Sequence, residues 1–158
     1  MRLRWCLLLS LLLPAVALAT SMGPVPLDRL VRTSDDIVRA RVLHQRTSEE
    51  AGALFTHTWL RVEQVLKGGH AAGEELVLRQ AGGVSGERRE GIVGDAQFEG
   101  NEEVVLVLKH EKRFHFLTNL ALSKFRVERT AQGEVLVRDV GGLSFVPLAG
   151  AHTPAEQD

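Results

Sequence analysis

The sequence predicts an all-β domain, a small antiparallel barrel or a sandwich, with one short N-terminal helix. Three observations carry this. Apolar and polar residues alternate at period two in six or seven short segments, glycine-rich and polar turns separate those segments, and only one stretch has a helical period. Many short strands with one helix fit a closed or two-layered β architecture better than an alternating α/β one.

The first residues are read as a leader. MRLRW is basic, CLLLSLLLPAVALA is apolar, and Ala17-Leu18-Ala19 has the small-residue pattern of a cleavage site, so residues 1–19 are expected to be a secretory signal peptide. The apolar run is shorter than the ~20 residues a membrane span needs. Cys6 is the single cysteine and stands at the head of the apolar run, not directly after the cleavage site, so the mature chain is expected to carry neither lipid anchor nor disulfide. The expected address is the periplasm or the extracellular space. The remaining chain is expected to form one β domain over residues 20–148 and a frayed polar tail over 149–158.

The elements follow in order. Leu27, Leu30 and Val31 share one face of a helix that Pro26 can open, expected to lie on the sheet as a lid. In DIVRARVLHQ, Val38, Ala40 and Val42 alternate with Arg39 and Arg41, which gives a strand with one wet face. HQRTSEEAGA is polar and reads as a connection, after which ALFTHTWLRVEQVLK forms the second arm of a hairpin, stopped by Gly68-Gly69. EELVLRQAGG is a third strand, closed by Gly82-Gly83. Val104 to Leu108 is apolar without interruption, as a strand covered on both faces must be. A last hairpin has Phe125 and Val127 on one arm and Val135 and Val137 on the other, and turns at Thr130 to Gly133. The predicted core includes Val38, Val42, Leu60, Val62, Leu106 and Leu108.

Between the third strand and Val104, the stretch AGGVSGERREGIVGDAQFEG carries six glycines in twenty residues. A connection this long inside a compact domain is usually a binding loop, a lid or a disordered excursion. Two readings stay open: a loop beyond the sheet whose charged cluster Glu87, Arg88, Arg89 and Glu90 meets a partner, or an extra edge strand over IVGDAQF with Phe98 plugging the end of a barrel and GERRE as a solvated hairpin tip.

The order SDDIVRARV, THTWLRVEQVLKGG, GEELVLRQAGG, VGDAQFEGNEEVVLVLK and LTNLALSKFRV, over residues 27 to 128, resembles a family of secreted bacterial proteins of unknown function. The resemblance implies export and a small β fold and supplies no catalytic motif. The strand arrangement is also similar to OB-like barrels, including the netrin-like modules of metalloprotease inhibitors. Those inhibitors chelate zinc through an N-terminal cysteine, which the expected mature chain lacks.

Charge and composition narrow the function classes. Without Arg2 and Arg4 the 19 basic residues fall to 17 against 20 acidic ones, which leaves no nucleic-acid footprint. One Trp, six Phe and no Tyr in the mature chain are too few for a stacking platform. Ser85 in GVSGE lacks the glycine two residues on that a nucleophile elbow requires. His110 and His115 bracket the turn of HEKRFH, where a hairpin can bring them together with Glu111 as an oxygen donor, and they are the candidate metal ligands. His44, His57, His70 and His152 are scattered and point to no further site. His57, Trp59 and Arg61 alternate on one strand face, either as a contact surface for a peptide or glycan or with Trp59 buried beneath the helix of Leu27 to Val31.

No catalytic set can be assembled from these residues and no cofactor is called for. The expectation is an exported noncatalytic binding or accessory module that recognises a protein or envelope component, with no nucleic acid and no membrane span after cleavage. The alternatives are a metal-dependent enzyme using His110, Glu111 and His115, and a structural envelope protein whose edge strands pair with neighbours.

Overall fold

The computed structural model describes residues 21–22, 25–138 and 144–145. The expected leader with Cys6, His152 and the expected tail lie outside the described residues.

The order of elements is β1 (Ser21–Met22), α1 (Leu27–Thr33), β2 (Asp36–Glu50), β3 (Ala53–Lys67), β4 (Glu75–Ser85), β5 (Arg88–Gly91), β6 (Glu103–Glu111), β7 (Phe114–Leu117), a 3-10 turn (Leu120–Ser123), β8 (Lys124–Thr130), β9 (Gly133–Val137) and β10 (Ser144–Phe145). Among the described residues the protein is all-β with one short helix. Five strands close into a ring, β2 to β3 to β4 to β7 to β6 and back to β2, with β4 and β7 parallel and the other pairs antiparallel. Strand β8 adds to the edge of β6 beyond β7 and carries β9 outward. The register of β2 against β3 shifts at three places between Ile37 and His44, irregularities that bend the hairpin, and Asp36–Arg41 of β2 meets β6 on its other edge.

The ring interior holds Val38, Ala40 and Val42, Leu60 and Val62, Leu76 and Leu78, and Val104, Leu106 and Leu108, closed by Ala96, Phe98 and Ala121. All six predicted core residues are buried. A second cluster lies outside the ring, where Leu30 of α1 meets Ile37, Val105 and Val107, with Phe125 and Val127 at its border. Val104 to Leu108 is apolar throughout because its even residues face the interior and its odd ones the helix. Only Leu30 of the expected helical face is buried, and Leu27 and Val31 are exposed. Lys67 Nζ donates at 2.7 Å to the carbonyls of Val31 and Ser34, a cation at the helix C-terminus that fixes α1 to β3.

Two expectations are corrected. HQRTSEEAGA is mostly strand: Gln45–Glu50 pair in register with Thr58–Ala53, and the chain reverses at Ala51 and Gly52, both with positive φ. The polar run shows no apolar alternation because this half of the hairpin is held by its ladder and by side-chain bonds such as Gln45 Nε2 to Thr58 Oγ1 at 2.9 Å. The strand of EELVLRQAGG likewise does not end at Gly82-Gly83 but runs on to Ser85.

Candidate functional site

At Ala81 strand β4 leaves Phe55 of β3, and from Gly82 it pairs with β5 instead. Glycine permits this exchange. A Cβ on Gly82, at φ +101°, would stand 2.7 Å from the Glu90 carbonyl oxygen, and one on Gly83 would stand 2.5 to 2.6 Å from the side chains of Thr47 and Thr56. Thr56 Oγ1 donates to the Gly82 carbonyl at 2.8 Å and anchors the crossing. The glycine-rich stretch is therefore a β4–β5 hairpin turning at Gly86, followed by an irregular segment that folds back over the ring. There Phe98 and Ala96 are buried, Gln80 Nε2 donates to the Ala96 carbonyl at 2.8 Å, and Lys124 holds the Gln97 carbonyl and stands over the Phe98 ring.

Between this segment, the hairpin and the polar half of β2 and β3 lies an open groove of about 570 Å³ at the mouth of the ring. Gln45, Thr47, Thr56 and Gln80 contribute polar side chains to it, with Gly82, Gly83 and Gly91 giving bare backbone. Val84, Ile92 and Val93 line it too and are about half exposed, at 51%, 46% and 58%. Asp95 also lines it. Burial pushes its carboxyl up in pKa, against the hydrogen bonds from Gln80 and the Ala96 N–H.

The charged cluster divides. Arg88 bonds to Glu90, to Glu49 at 3.2 Å and to the Gly52 carbonyl, while Glu90 Oε2 accepts the Leu54 N–H at 2.9 Å. Arg88 and Glu90 thus clamp the hairpin to the β2–β3 turn. Glu87 and Arg89 are exposed, and Arg89 lines the groove.

His57, Trp59 and Arg61 do share the outer face of β3. Trp59 is half-buried and stacked on His44 of β2, with ring centroids 4.5 Å apart. It is therefore not the floor of the helix, which Ile37, Val105 and Val107 supply. His57 is buried against Phe114 at 5.1 Å, and burial, with Arg79 and Arg113 nearby, holds its pKa below the usual histidine value against the pull of Glu50. Arg61 is exposed and bound to Glu75 at 2.8 Å.

His110 and His115 face each other across the β6–β7 hairpin with rings stacked at 4.7 Å. Glu111, one residue on, falls on the other face of β6, where it lines a cleft with Arg79, Arg113, Phe114 and Phe116. His110 Nε2 bonds to the Lys112 carbonyl at 2.7 Å.

The partners that His115 does meet were not found from sequence. Its Nε2 lies 3.2 Å from His70 Nε2 in the β3–β4 loop and 3.9 Å from Asp36 Oδ2 at the start of β2, and Asp36 Oδ1 lies 3.4 Å from His70 Nε2. Asp36 and His115 are buried and His70 nearly so. Burial, then the neighbouring His110 and His70, keeps the His115 pKa low, while Asp36 opposes them. The only sequence trace of this approach is Gly68: a Cβ there would meet Asp36 Oδ1 at 2.1 Å.

Comparison of the chain with family models, with curated proteins and with solved structures found no match. Function rests on the chain's own geometry.

Proposed function

We propose that the chain is an exported, noncatalytic binding module that takes an extended segment of a protein partner at the mouth of its ring. The observation that carries the reading is the groove itself, a polar and glycine floor bordered by the half-exposed apolar side chains of Val84, Ile92 and Val93. Ligand sites favour the mouths of β-barrels and volumes of this order. In chain order the five ring strands are arranged 1-2-3-5-4-1, like the OB-like barrels that the sequence resembles. Export rests on the leader expected over residues 1–19, and the likeness to secreted bacterial proteins agrees with it.

A polypeptide suits the groove better than a sugar or a base. Phe98 is the one aromatic among its lining residues and is buried, which leaves no ring to stack on. Strand β5 pairs only with β4 among the described residues, so its outer edge offers main-chain groups to an added strand, with Ile92 and Val93 alongside for its side chains.

The test is capture from the native secretome or periplasm by the wild type and by an Ile92→Asp/Val93→Asp variant, followed by calorimetry on the partner identified. The expected result is a partner whose binding the double variant loses at an unchanged thermal midpoint. A partner held equally by both proteins would place the contact elsewhere.

A further inference from the structure

We infer that Asp36, His70 and His115 form a binding site for one divalent transition-metal ion of the zinc type, at the opposite end of β2 from the groove and independent of it. The three side chains each offer one donor atom, all within 4.8 Å of one another. Zinc bonds of about 2.0–2.1 Å to nitrogen and oxygen, arranged tetrahedrally, put neighbouring donors roughly 3.3 Å apart. The contacts of His70 Nε2 with His115 Nε2 at 3.2 Å and with Asp36 Oδ1 at 3.4 Å match two edges of such a shell, and the other Asp36 oxygen, Oδ2, lies 3.9 Å from His115 Nε2.

Three further features fit a metal better than a plain hydrogen-bonded trio. Asp36 Oδ2 is buried and has no hydrogen-bond partner, although a carboxylate away from water is costly to leave unsatisfied. His70 presents Nε2 to the cluster while its Nδ1 meets Glu74 Oε1 at 3.1 Å, the carboxylate support that fixes the ring of a metal-ligating histidine. Glu74 is itself fixed, because its other oxygen accepts the Ala71 N–H at 3.0 Å and its backbone closes the loop onto Val62. Gly68 then lets the loop backbone come close enough to Asp36 to complete the set.

Two imidazoles and one carboxylate are a borderline donor set suited to zinc, and three protein ligands leave a fourth position for water or an incoming group. The ion would join the start of β2, the β3–β4 loop and β7. His110 stacks on His115 but turns its Nε2 to the Lys112 carbonyl, so it supports the ligand ring without joining the set.

The experiment uses chelator-stripped full-length protein titrated with Zn²⁺ by calorimetry and with Co²⁺ by visible absorption. Zn²⁺ is also added to ¹⁵N-histidine protein to read the imidazole resonances. One equivalent should bind, with Co²⁺ bands of low-coordinate type, and the Nε2 signals of His70 and His115 should shift. His70→Gln and Asp36→Asn, each shown to be folded by circular dichroism, should weaken Zn²⁺ binding at least tenfold. Glu74→Gln should weaken it about tenfold, as loss of a supporting carboxylate does. Failure of the wild type to bind either ion, or wild-type affinity in folded His70→Gln or Asp36→Asn, would overturn the inference.

Discussion

The carboxylate of Glu103 receives the guanidinium of Arg129 at 2.7 Å, and this contact anchors a network across four strands. Arg39 binds the other Glu103 oxygen and reaches Glu134 at 2.8 and 2.9 Å, while Arg41 joins at 3.2 Å. Burial pushes the Glu103 carboxyl up, but the hydrogen bonds from Arg129 and Arg39 outweigh it and bring its pKa down from 4.5 to about 2. A carboxylate held below its unfolded value stabilises the fold above that value and loses the contribution as pH falls through the folded one. The stability gap between wild type and Glu103→Gln should therefore be full above pH 4.5 and close towards pH 2. Urea unfolding across that range measures it, and a gap independent of pH would assign the acid sensitivity to other carboxylates.

Leu106 is fully buried in the ring interior, on the strand covered by both the interior and the helix side. Leu106→Ala should cost about 2 to 5 kcal/mol, the transfer energy of the lost atoms plus the cavity they leave. Denaturant midpoints decide it. Wild-type resistance in the variant would remove β6 from the centre of the fold.

Gly83 should tolerate no larger side chain. Its missing Cβ would fall against Thr47 and Thr56, whose hydroxyls are 3.2 Å apart, and its φ of +147° disfavours a branched residue. Gly83→Val should destabilise by about 1 to 3 kcal/mol through overpacking and strain. Amide exchange should accelerate first in residues 84–91. Uniform acceleration throughout the ring would show that the crossing is not a local unit.

How much of this was legible in the sequence depended on whether the signal was local. Val38, Ala40 and Val42 announce their strand because a buried ring face needs apolar residues at every second position, and Val104 to Leu108 announces two covered faces by having no alternation at all. Gln45–Glu50 hides its strand because that half of the hairpin runs past the apolar interior. Asp36 and His70 were illegible as a pair with His115 because ring closure, a non-local event, brings the start of β2 to the β3–β4 loop and β7. The hairpin pairing of His110 with His115 could be read, since a tight turn is local.

The two adjacent arginines of the hairpin should behave differently, because only one of them is held. Arg88 is clamped by Glu49, Glu90 and the Gly52 carbonyl, whereas Arg89 is exposed at the groove. Arg88→Glu places a negative charge beside two others, so it should lower the thermal midpoint and speed exchange at both the β2–β3 turn and the β4–β5 hairpin. Arg89→Glu touches no such contact and should move stability by less than ~0.5 kcal/mol, as exposed charge changes do. It should nevertheless weaken the partner that the groove captures. Since β5 is paired along one edge only among the described residues, trypsin should cut at Arg88 or Arg89 well before Arg39 and Arg61 in the ring strands. Mass spectrometry of early digests, thermal scans and partner calorimetry on the two single variants separate these roles. Equal midpoints for Arg88→Glu and wild type would show that the clamp contributes nothing to the hairpin, and unchanged partner affinity in Arg89→Glu would take that side chain out of the contact surface.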